Sequence, residues 1–464
     1  MGRVLLIITL LVTVVFTALS QDDVISIGKI KIDGNTKTKN SIILRELMFE
    51  KDSSYTTKQW QEAKTKSIEN LINTSLFHSA TITLNPDSNK SNSVNIKVVE
   101  RWYLWPIPQI TIDERNFNVW LQTRSLERLS AGVFLTKENF RGRMEEVKLL
   151  FMAGYNQQFG FAYDAPYINK KKTFGLGAEV VWTGRHEVNN ATLGDKQDYY
   201  KNVDEMVQRD LLAAIHFRYR KNYYVSHILQ LRFKNYSFSD SLLANSSYYS
   251  WQGLKELPYF GIYYKLKDDH RDYKPYPLHG YYLDVELFKN GFGLLKNQGM
   301  SLWDIKTTLR KYWQLTDRFY FAGGFIGKIS NYQNQPHFLQ KSLGYGRDFV
   351  RGYEYYVIDG TNYGVAKANI KWAVIPQKKV RLSFISTDKF NTIPYAFYLN
   401  LFYDVGYVTE FKQNDATNTL PGSFLNSFGI GLDFTTYYDK VARFEVARNH
   451  LGETGFFLHF IAPI

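Results

Sequence analysis

The stretch YAFYLNLFYDVG, residues 395–406, shows most clearly how this chain folds. Large apolar side chains occupy every second position from Tyr395 to Val405, and the positions between them include Asn400 and Asp404. Because side chains alternate between the two faces of a strand, one face is apolar and the other carries a charge. A tilted strand of about 10 residues is long enough to cross a bilayer. The stretch therefore predicts a membrane-spanning β-strand.

The same alternation recurs along residues 102–464, for example at 281–288 and 228–234, where charged residues alternate with Leu, Val and Phe. Charges on one face only, with no apolar partner sheet, favour a barrel with a polar lumen over a two-sheet sandwich. We predict a mainly β protein with a 16-stranded antiparallel transmembrane β-barrel, whose strands start near residues 109, 128, 144, 158, 173, 209, 223, 258, 280, 301, 318, 362, 394, 425, 441 and 455.

The connections between the predicted strands differ in length by parity. Those after strands five, seven, nine and eleven are mostly long, at residues 184–208, 238–257, 291–299 and 330–361. Several connections after even-numbered strands are short, which is the asymmetry of outer-membrane barrels with short periplasmic turns and long outer loops. The stretch 375–393 should be short and is not, which leaves longer strands there as the explanation.

The N-terminus predicts export. Arg3 precedes a short apolar run at residues 4–16, and Ala18 and Ser20 are small residues before a cut at Gln21. This is the pattern of a secretory signal peptide, assigned to residues 1–20. The apolar run is too short for a membrane helix, and no later stretch reaches the roughly 18 apolar residues that such a helix needs.

Composition excludes several classes of function. The chain has no cysteine, which rules out disulfides, thiolate metal sites and a lipoprotein anchor. The net charge of +13 is spread over single Lys and Arg residues among apolar ones. We therefore expect no nucleic-acid partner, and instead a solvated lumen, loops and contacts with anionic outer-membrane lipid.

Residues 21–101 follow a different pattern, that of a small α+β domain. A strand around Ile27–Asp33 is followed by a helix from Asn40 or Ser41 to Leu47 and by a longer helix from Thr57 to about Asn73. Two strands, 80–84 and 94–99, complete a β-α-α-β-β order.

This order resembles a POTRA domain, the periplasmic module of the BamA/TamA-type outer-membrane assembly and two-partner-secretion superfamily. The resemblance rests on Ile30–Asn35, on Leu71–Phe77 at the helix exit, and on Val94–Glu100. Ser75 departs from the family pattern, which usually has Gly before the Phe. The sequence contains one such POTRA-like domain, assigned to residues 21–101, and the barrel is assigned to residues 102–464.

The segment GYGRDFVRGY, residues 344–353, is the sharpest motif of the barrel. Its Val350, Arg351, Gly352 and Tyr353 are similar to the signature of the sixth outer loop of that superfamily, and the strand count places it in that loop. The resemblance implies that the loop folds into the lumen and that Arg351 pairs with an acidic residue on the inner wall.

The matching wall motif is FYDVG, residues 402–406, in the thirteenth predicted strand. Alternation places Asp404 on the inner face, and Gly406 completes the motif. Asp433 and Glu445, inward on the next two strands, are predicted to join the network. A guanidinium is planar and permanently charged, so it suits two-point pairing with carboxylates.

Two further motifs resemble the superfamily. One is Asp269-x-Arg271-Asp272 with Pro275 and Gly280, before the ninth strand. The other is Asn139–Arg143, a turn between the second and third strands. With these, the resemblance covers nearly the whole mature chain.

Prolines mark the seam, where the first and last strands of the barrel meet. Pro106 and Pro108 lie just before Gln109, and Pro463 follows Ile461 near the end of the chain. Proline cannot donate a ladder hydrogen bond, so the seam is predicted to open more easily. The alternative is that these prolines only end their strands.

We find no catalytic motif, so the chain is not expected to be an enzyme, and no cofactor or metal is expected. The predicted function is an outer-membrane insertase or translocase, with the N-terminal domain in the periplasm and unfolded outer-membrane or secreted proteins as clients. A structural or accessory subunit of a larger complex, with accessory subunits as partners, remains an alternative, and so does a passive pore.

Overall fold

The computed structural model describes residues 24–86, 91–112, 129–246, 249–295, 299–331, 336–339, 341–385, 387, 391–410, 415–436 and 439–460 of the 464. The predicted signal peptide and the predicted seam residues Ile461 and Pro463 lie outside these ranges. The chain divides into two compact units, one up to Thr36 with Asn40–Glu100, the other Lys37–Lys39 with Arg101 onward.

The first unit is a four-stranded sheet with two helices. Its elements are β1 (Val24–Asp33), α1 (Asn40–Arg45), β2 (Ser54–Thr56), α2 (Thr57–Asn73), β3 (Phe77–Pro86) and β4 (Asn92–Glu100). The strand order is β2-β1-β4-β3, with β1 and β4 parallel. The predicted β-α-α-β-β order is confirmed, with the short β2 as an addition.

Local chemistry sets the ends of α2. Thr56 caps the helix by accepting from the Gln59 N–H, and the Gln59 side chain accepts from the Thr56 N–H in return. After the helix, Ser75 adopts φ +61°, a left-handed conformation that favours glycine. This reversal brings Phe77 into a core in which Ile27, Leu71, Ile82 and Ile96 are also fully buried.

The second unit is one antiparallel sheet of sixteen strands, and the predicted transmembrane barrel is confirmed. In chain order the strands are β5 (Leu104–Ile112), β6 (Leu129–Phe140), β7 (Glu145–Gly154), β8 (Gln157–Ala165), β9 (Phe174–Arg185), β12 (Gln208–Arg220), β13 (Val225–Phe238), β14 (Glu256–Asp269), β15 (Gly280–Asn290), β16 (Leu302–Gln314), β17 (Phe319–Ser330), β20 (Tyr363–Arg381), β21 (Thr392–Val408), β22 (Phe424–Thr435), β23 (Val441–Asn449) and β24 (Thr454–His459). Among the described residues, no helix is long and apolar enough to cross a membrane.

The start of the first strand differs from the position expected from sequence. The first strand begins at Leu104 rather than near residue 109, because Pro106 and Pro108 lie within it and still pair in register with β6. Proline is tolerated in a strand when its nitrogen faces away from the neighbour. As expected, longer strands take up part of the stretch 375–393, because β20 runs to Arg381 and β21 begins at Thr392.

Longer connections carry structure of their own at one end of the barrel. They contain the hairpin β10 (Glu187–Leu193) and β11 (Lys196–Lys201), helix α3 (Asp240–Asn245), the pair β18 (Lys341–Leu343) and β19 (Ile358–Asp359), and two 3-10 turns at Trp251–Gly253 and His337–Leu339. We call this the long-loop end and the opposite one the short-turn end.

Side chains alternate along the barrel strands as expected for a lipid face and a lumen face. In β21, Leu401, Tyr403 and Tyr407 are 55, 50 and 45 % exposed, whereas Asn400 and Asp404 are fully buried. The apolar face is thus the outer one, and charges lie inside.

Candidate functional site: a loop latch inside the barrel

The loop between β17 and β20 places part of its chain inside the barrel. Val350, Arg351 and Tyr353 are almost completely buried, and Val350 packs with Val365, Val408 and other residues of neighbouring strands. Arg351 is among the largest fully buried side chains of the described residues. A buried guanidinium requires partners for its charge and its N–H groups.

Arg351 finds its main partner in Asp404 of β21. Its Nε donates to Asp404 Oδ2 at 2.8 Å and its Nη2 donates to Oδ1 at 2.5 Å, the two-point geometry of a strong ion pair. The backbone N–H of Arg351 also donates to Asp404 Oδ2, at 3.2 Å. The loop is therefore fixed to the wall by both its side chain and its backbone.

Three more residues complete the surroundings of the guanidinium. Arg351 Nη1 donates to Glu445 Oε1 of β23 at 3.3 Å, and Nη2 donates to Asn369 Oδ1 of β20 at 2.8 Å. The guanidinium carbon lies 3.9 Å from the centre of the Phe402 ring, which adds a cation–π contact. We call Arg351 with Asp404, Glu445, Asn369 and Phe402 the loop latch.

Two glycines make room for the loop. Gly352 adopts φ +85° and its carbonyl accepts from Asn449 Nδ2 at 3.0 Å. Gly406 lies under Val350, and a Cβ added there would come within 2.6 Å of Val350 Cγ2. Both positions therefore need glycine for close approach of loop and wall.

Tyr353 anchors the loop at a second point. Its hydroxyl donates to the Asn426 carbonyl at 3.1 Å and also contacts His450 Nδ1. All four signature residues, 350–353, thus contact the wall or support the loop backbone.

Asp433 is linked to this network through Arg443 and not by a direct contact with Arg351. It pairs with Arg443, which lies directly opposite on β23 and donates from Nε at 2.7 Å and Nη2 at 2.9 Å. Arg443 Nε also lies 3.8 Å from Glu445 Oε1, which links Asp433 to the loop latch indirectly. Because Arg443 binds Asp433 directly, Asp433 belongs to a cluster next to the loop latch.

Sequence reasoning missed several residues of the site. Lys367 and Asn369 alternate with Ala366 and Ala368 on β20, a polar–apolar pattern that marks an inner face. Lys367 Nζ lies 3.7 Å from Asp404 Oδ2 and 4.4 Å from the centre of the Phe349 ring. The alternation could have found both side chains.

The last strand also reaches the loop. His459 Nε2 of β24 lies 3.3 Å from Glu354 Oε1 of the loop and 3.4 Å from Glu445 Oε2 of the wall. Its ring stacks on Phe349 with centroids 5.4 Å apart. The closing strand of the barrel and the loop latch are therefore in direct contact.

The hairpin β10–β11 packs on the loops from another side of the barrel. Asp195 at its tip accepts from the Thr419 N–H at 2.9 Å, and its carbonyl accepts from the Val357 N–H at 3.0 Å. His337 Nε2 donates to Asn189 Oδ1 at 3.0 Å. Burial lowers the pKa of His337, with Asp359 opposing that shift. No local pattern in the sequence predicts these contacts of Asp195 and His337.

The seam is described only in part. Just before β5, the Tyr103 carbonyl accepts from the Glu138 N–H of β6, and within β5 Leu104 lies opposite Lys137. Odd-numbered residues of β5 therefore bond to β6, including Gln109, and even-numbered ones point their backbone groups to the other side. Between the described residues of β5 and β24 no strand pairing is found.

Within the described ranges, no group of His, Asp and Glu could hold a metal ion.

Comparisons with known proteins bear on this architecture. The POTRA family model, described as surface antigen variable number repeat, matches residues 25–101. A solved structure of BamA from Haemophilus ducreyi lacking POTRA domains 1-3 aligns with a TM-score of 0.50 and 15 % identity, over 94 % of this chain and 83 % of that one. No curated protein sequence matches the chain.

Two structures of CdiB align as well. CdiB from Acinetobacter baumannii has a TM-score of 0.48 and 12 % identity, over 94 % of this chain and 74 % of its own. CdiB from Escherichia coli has a TM-score of 0.49 and 11 % identity, over 96 % and 90 %.

The chain thus combines a POTRA domain at residues 25–101 with a sixteen-stranded antiparallel barrel, and it shares the fold of the BamA structure. By domain order and fold, the chain is similar to BamA/TamA-type proteins, with a single POTRA domain among its described residues.

Proposed function

We propose that this protein is an outer-membrane insertase or translocase, which assembles or exports client proteins by way of its POTRA domain and its barrel seam. In this proposal the short-turn end and the POTRA domain face the periplasm, and unfolded outer-membrane or secreted proteins are the clients. No covalent step, metal or cofactor is required, because the work consists of pairing and releasing strands.

The observation that carries the proposal is the chemistry of the edge of β5. Pro106 and Pro108 are even-numbered, so their nitrogens point away from β6 and towards the seam. Neither nitrogen bears a hydrogen, and two donors are therefore missing from the edge that closes the barrel. Fewer closing hydrogen bonds lower the free energy needed to part the first and last strands, which favours a client strand entering there.

The loop latch supports this route over the lumen itself. Arg351 and its partners hold the loop inside the barrel, so an unfolded chain passing straight through would have to break a buried ion pair. The seam offers a path that leaves the Arg351–Asp404 pair intact. His459 also lies next to Glu354, so the closing strand and the loop are in contact.

The POTRA domain has an edge suited to strand addition. β3 is the outermost strand of its sheet, and its sequence FHSATITLNP contains no Lys, Arg, Asp or Glu. Charged residues on an edge strand normally prevent pairing with another chain. An edge without them favours capture of an extended client by main-chain hydrogen bonds.

Locking the seam tests the proposal. Cysteines replace Gln109 and Ile461, and their oxidation should stop client assembly, with recovery on reduction. The matched control joins β5 to its other neighbour through Ile110→Cys and Ala131→Cys, which lie opposite each other in the ladder. Full activity with the seam oxidised, or equal loss in the control, would reject opening at the seam.

Depletion of the protein, followed by proteomics of the outer-membrane and secreted fractions, separates the modes of action. Broad loss of barrel proteins from the membrane supports insertion, and loss of one or two secreted proteins supports dedicated export. No change in either fraction would contradict the proposal and favour a pore or an accessory subunit, which co-purification would then distinguish.

A further inference from the structure

The turn between β14 and β15, residues 270–279, folds into the barrel from the short-turn end. Its Tyr276 is 3 % exposed and packs against Ala373, Ala396, Tyr398 and Val441, which belong to β20, β21 and β23. These strands are not neighbours of β14 or β15 in the sheet. The turn therefore crosses the lumen to reach the opposite wall.

Polar contacts fix Tyr276 at this wall. Its hydroxyl donates to Asp433 Oδ2 at 2.7 Å, and Lys371 Nζ lies 4.3 Å from the centre of its ring. Asp433 also accepts from Asn400 Nδ2 at 2.9 Å and from Arg443. Asp433, Asn400 and Lys371 are at most 1 % exposed, so the tyrosine covers a buried charged cluster.

A second tyrosine of the turn makes a similar contact. The Tyr273 hydroxyl donates to Asp439, which lies in the connection between β22 and β23. Asp439 is held in place by Arg101, whose Nη1 and Nη2 donate to its two carboxylate oxygens at 2.6 and 3.0 Å. Two tyrosines of one turn thus bind carboxylates on the same side of the barrel.

The motif Asp269-x-Arg271-Asp272 shapes the turn for this role. Arg271 Nε donates to Asp269 Oδ1 at 2.7 Å, and its guanidinium lies 4.6 Å from the centre of the Tyr282 ring. The Leu278 N–H donates to Asp272 Oδ1 at 3.1 Å. The turn is therefore braced by its own residues and by the ends of its two flanking strands.

We propose that this turn is a strap that closes the lumen at the short-turn end, opposite the loop latch. Tyr276 holds the strap closed by binding the cluster of Asp433 and Arg443. The two closures share one wall, because Arg443 lies 3.8 Å from Glu445 and Glu445 accepts from Arg351. When the strap opens, the Asp433–Arg443 cluster becomes accessible to water and to an entering polypeptide chain.

Thiol labelling tests the strap. Ala396 is fully buried against Tyr276, so a cysteine there is reached by a water-soluble maleimide only when the strap opens. Ala396→Cys is compared with Ala162→Cys, which lines an open cavity of about 320 Å³ in the lumen. We expect slow labelling at position 396 and fast labelling at position 162.

Adding Tyr276→Phe removes only the hydroxyl, and the loss of a hydrogen bond to a carboxylate should raise the labelling rate at position 396 by about tenfold. Tyr276→Ala should raise it further. Tyr403→Phe, on the lipid face of β21, is the control and should leave it unchanged. Migration on unheated gels verifies that each variant barrel is folded.

Equal labelling with and without the Tyr276 substitutions, or labelling at position 396 as fast as at position 162 in the parent, would overturn the strap. The strap is a property of the barrel whatever its clients, and the labelling uses purified protein. Failure of the proposed client assembly therefore leaves this result intact, and the converse also holds.

Discussion

Asp404 and Asp164 are both inward-facing aspartates paired with an arginine, yet their side chains are 0 and 23 % exposed. Asp404 lies on the wall formed by β20 to β23, against which the sixth outer loop and the strap both pack. Asp164 lies on the wall formed by β7 to β14 and faces a cavity shared with His216 and Arg218. The same strand alternation produced both residues.

The difference between the walls comes from what folds over them. A pair that water can reach contributes little to stability, whereas a pair covered by a loop must satisfy every charge with a partner. On the covered wall, buried charged residues thus bind the sixth outer loop and the strap, which come from other parts of the chain. The open wall instead presents its charged side chains to a cavity.

The largest expected contrast comes from removing one arginine on each wall. Arg351→Ala leaves Asp404 and Glu445 buried without their main partner, and should lower the free energy of unfolding by about 3–5 kcal/mol. Arg218→Ala should lower it by about 1 kcal/mol or less, because Asp164 keeps His216 and water. Urea unfolding of the barrel in detergent measures both. Similar losses would show that the walls do not differ in this way.

A glycine on each wall sharpens the comparison. Gly406→Ala brings a Cβ to 2.6 Å from Val350 and should cost about 1–3 kcal/mol by pushing the loop off the wall. Gly160→Ala, where the nearest side-chain atoms lie at 3.4 Å, should be nearly neutral. The same unfolding assay applies, and a neutral Gly406→Ala would contradict tight packing of the loop.

The POTRA domain supplies a change that should leave both walls untouched. Ser75 holds a left-handed backbone, so Ser75→Gly should stabilise this domain by up to about 1 kcal/mol. Unfolding of the isolated residues 21–101, followed by circular dichroism, gives the value. A shift in barrel unfolding instead would mean that the two units are not independent in stability.

The smallest effect is a local one, at the long-loop end of the barrel. Burial lowers the pKa of His337, so the unfolded loop takes up a proton first as the pH falls. The contribution of His337 is therefore complete above its ordinary pKa of about 6.5 and is lost as the pH drops towards the lowered value. Hydrogen exchange in 187–201 should speed up at about pH 5.5 relative to His337→Gln at the same pH. Equal exchange in both proteins would contradict this.

The barrel could be predicted because polar and apolar side chains alternate along each strand, and this pattern is visible in short stretches of sequence. The same alternation placed Asp404, Asp433 and Glu445 on the inner face. It could not assign their partners, because these depend on register between strands that are distant in sequence. Arg443 lies directly opposite Asp433, which is why that aspartate does not reach Arg351.

The strap shows the same limit in a stronger form. The motif around Arg271 was recognisable, but its consequence depends on a tyrosine five residues later meeting a carboxylate at position 433. The hydrogen bond between Tyr276 and Asp433 joins residues that are far apart in the chain, so no periodic pattern in the sequence predicts it. Polar alternation on β20, by contrast, was present in the sequence and would have identified Lys367 and Asn369.

The uncharged edge of β3 has a consequence for handling this protein. A ten-residue outermost strand without Lys, Arg, Asp or Glu matches any extended partner, including a second copy of itself. Concentrated preparations of the isolated POTRA domain are therefore exposed to edge-to-edge aggregation, the same pairing that would serve a client strand.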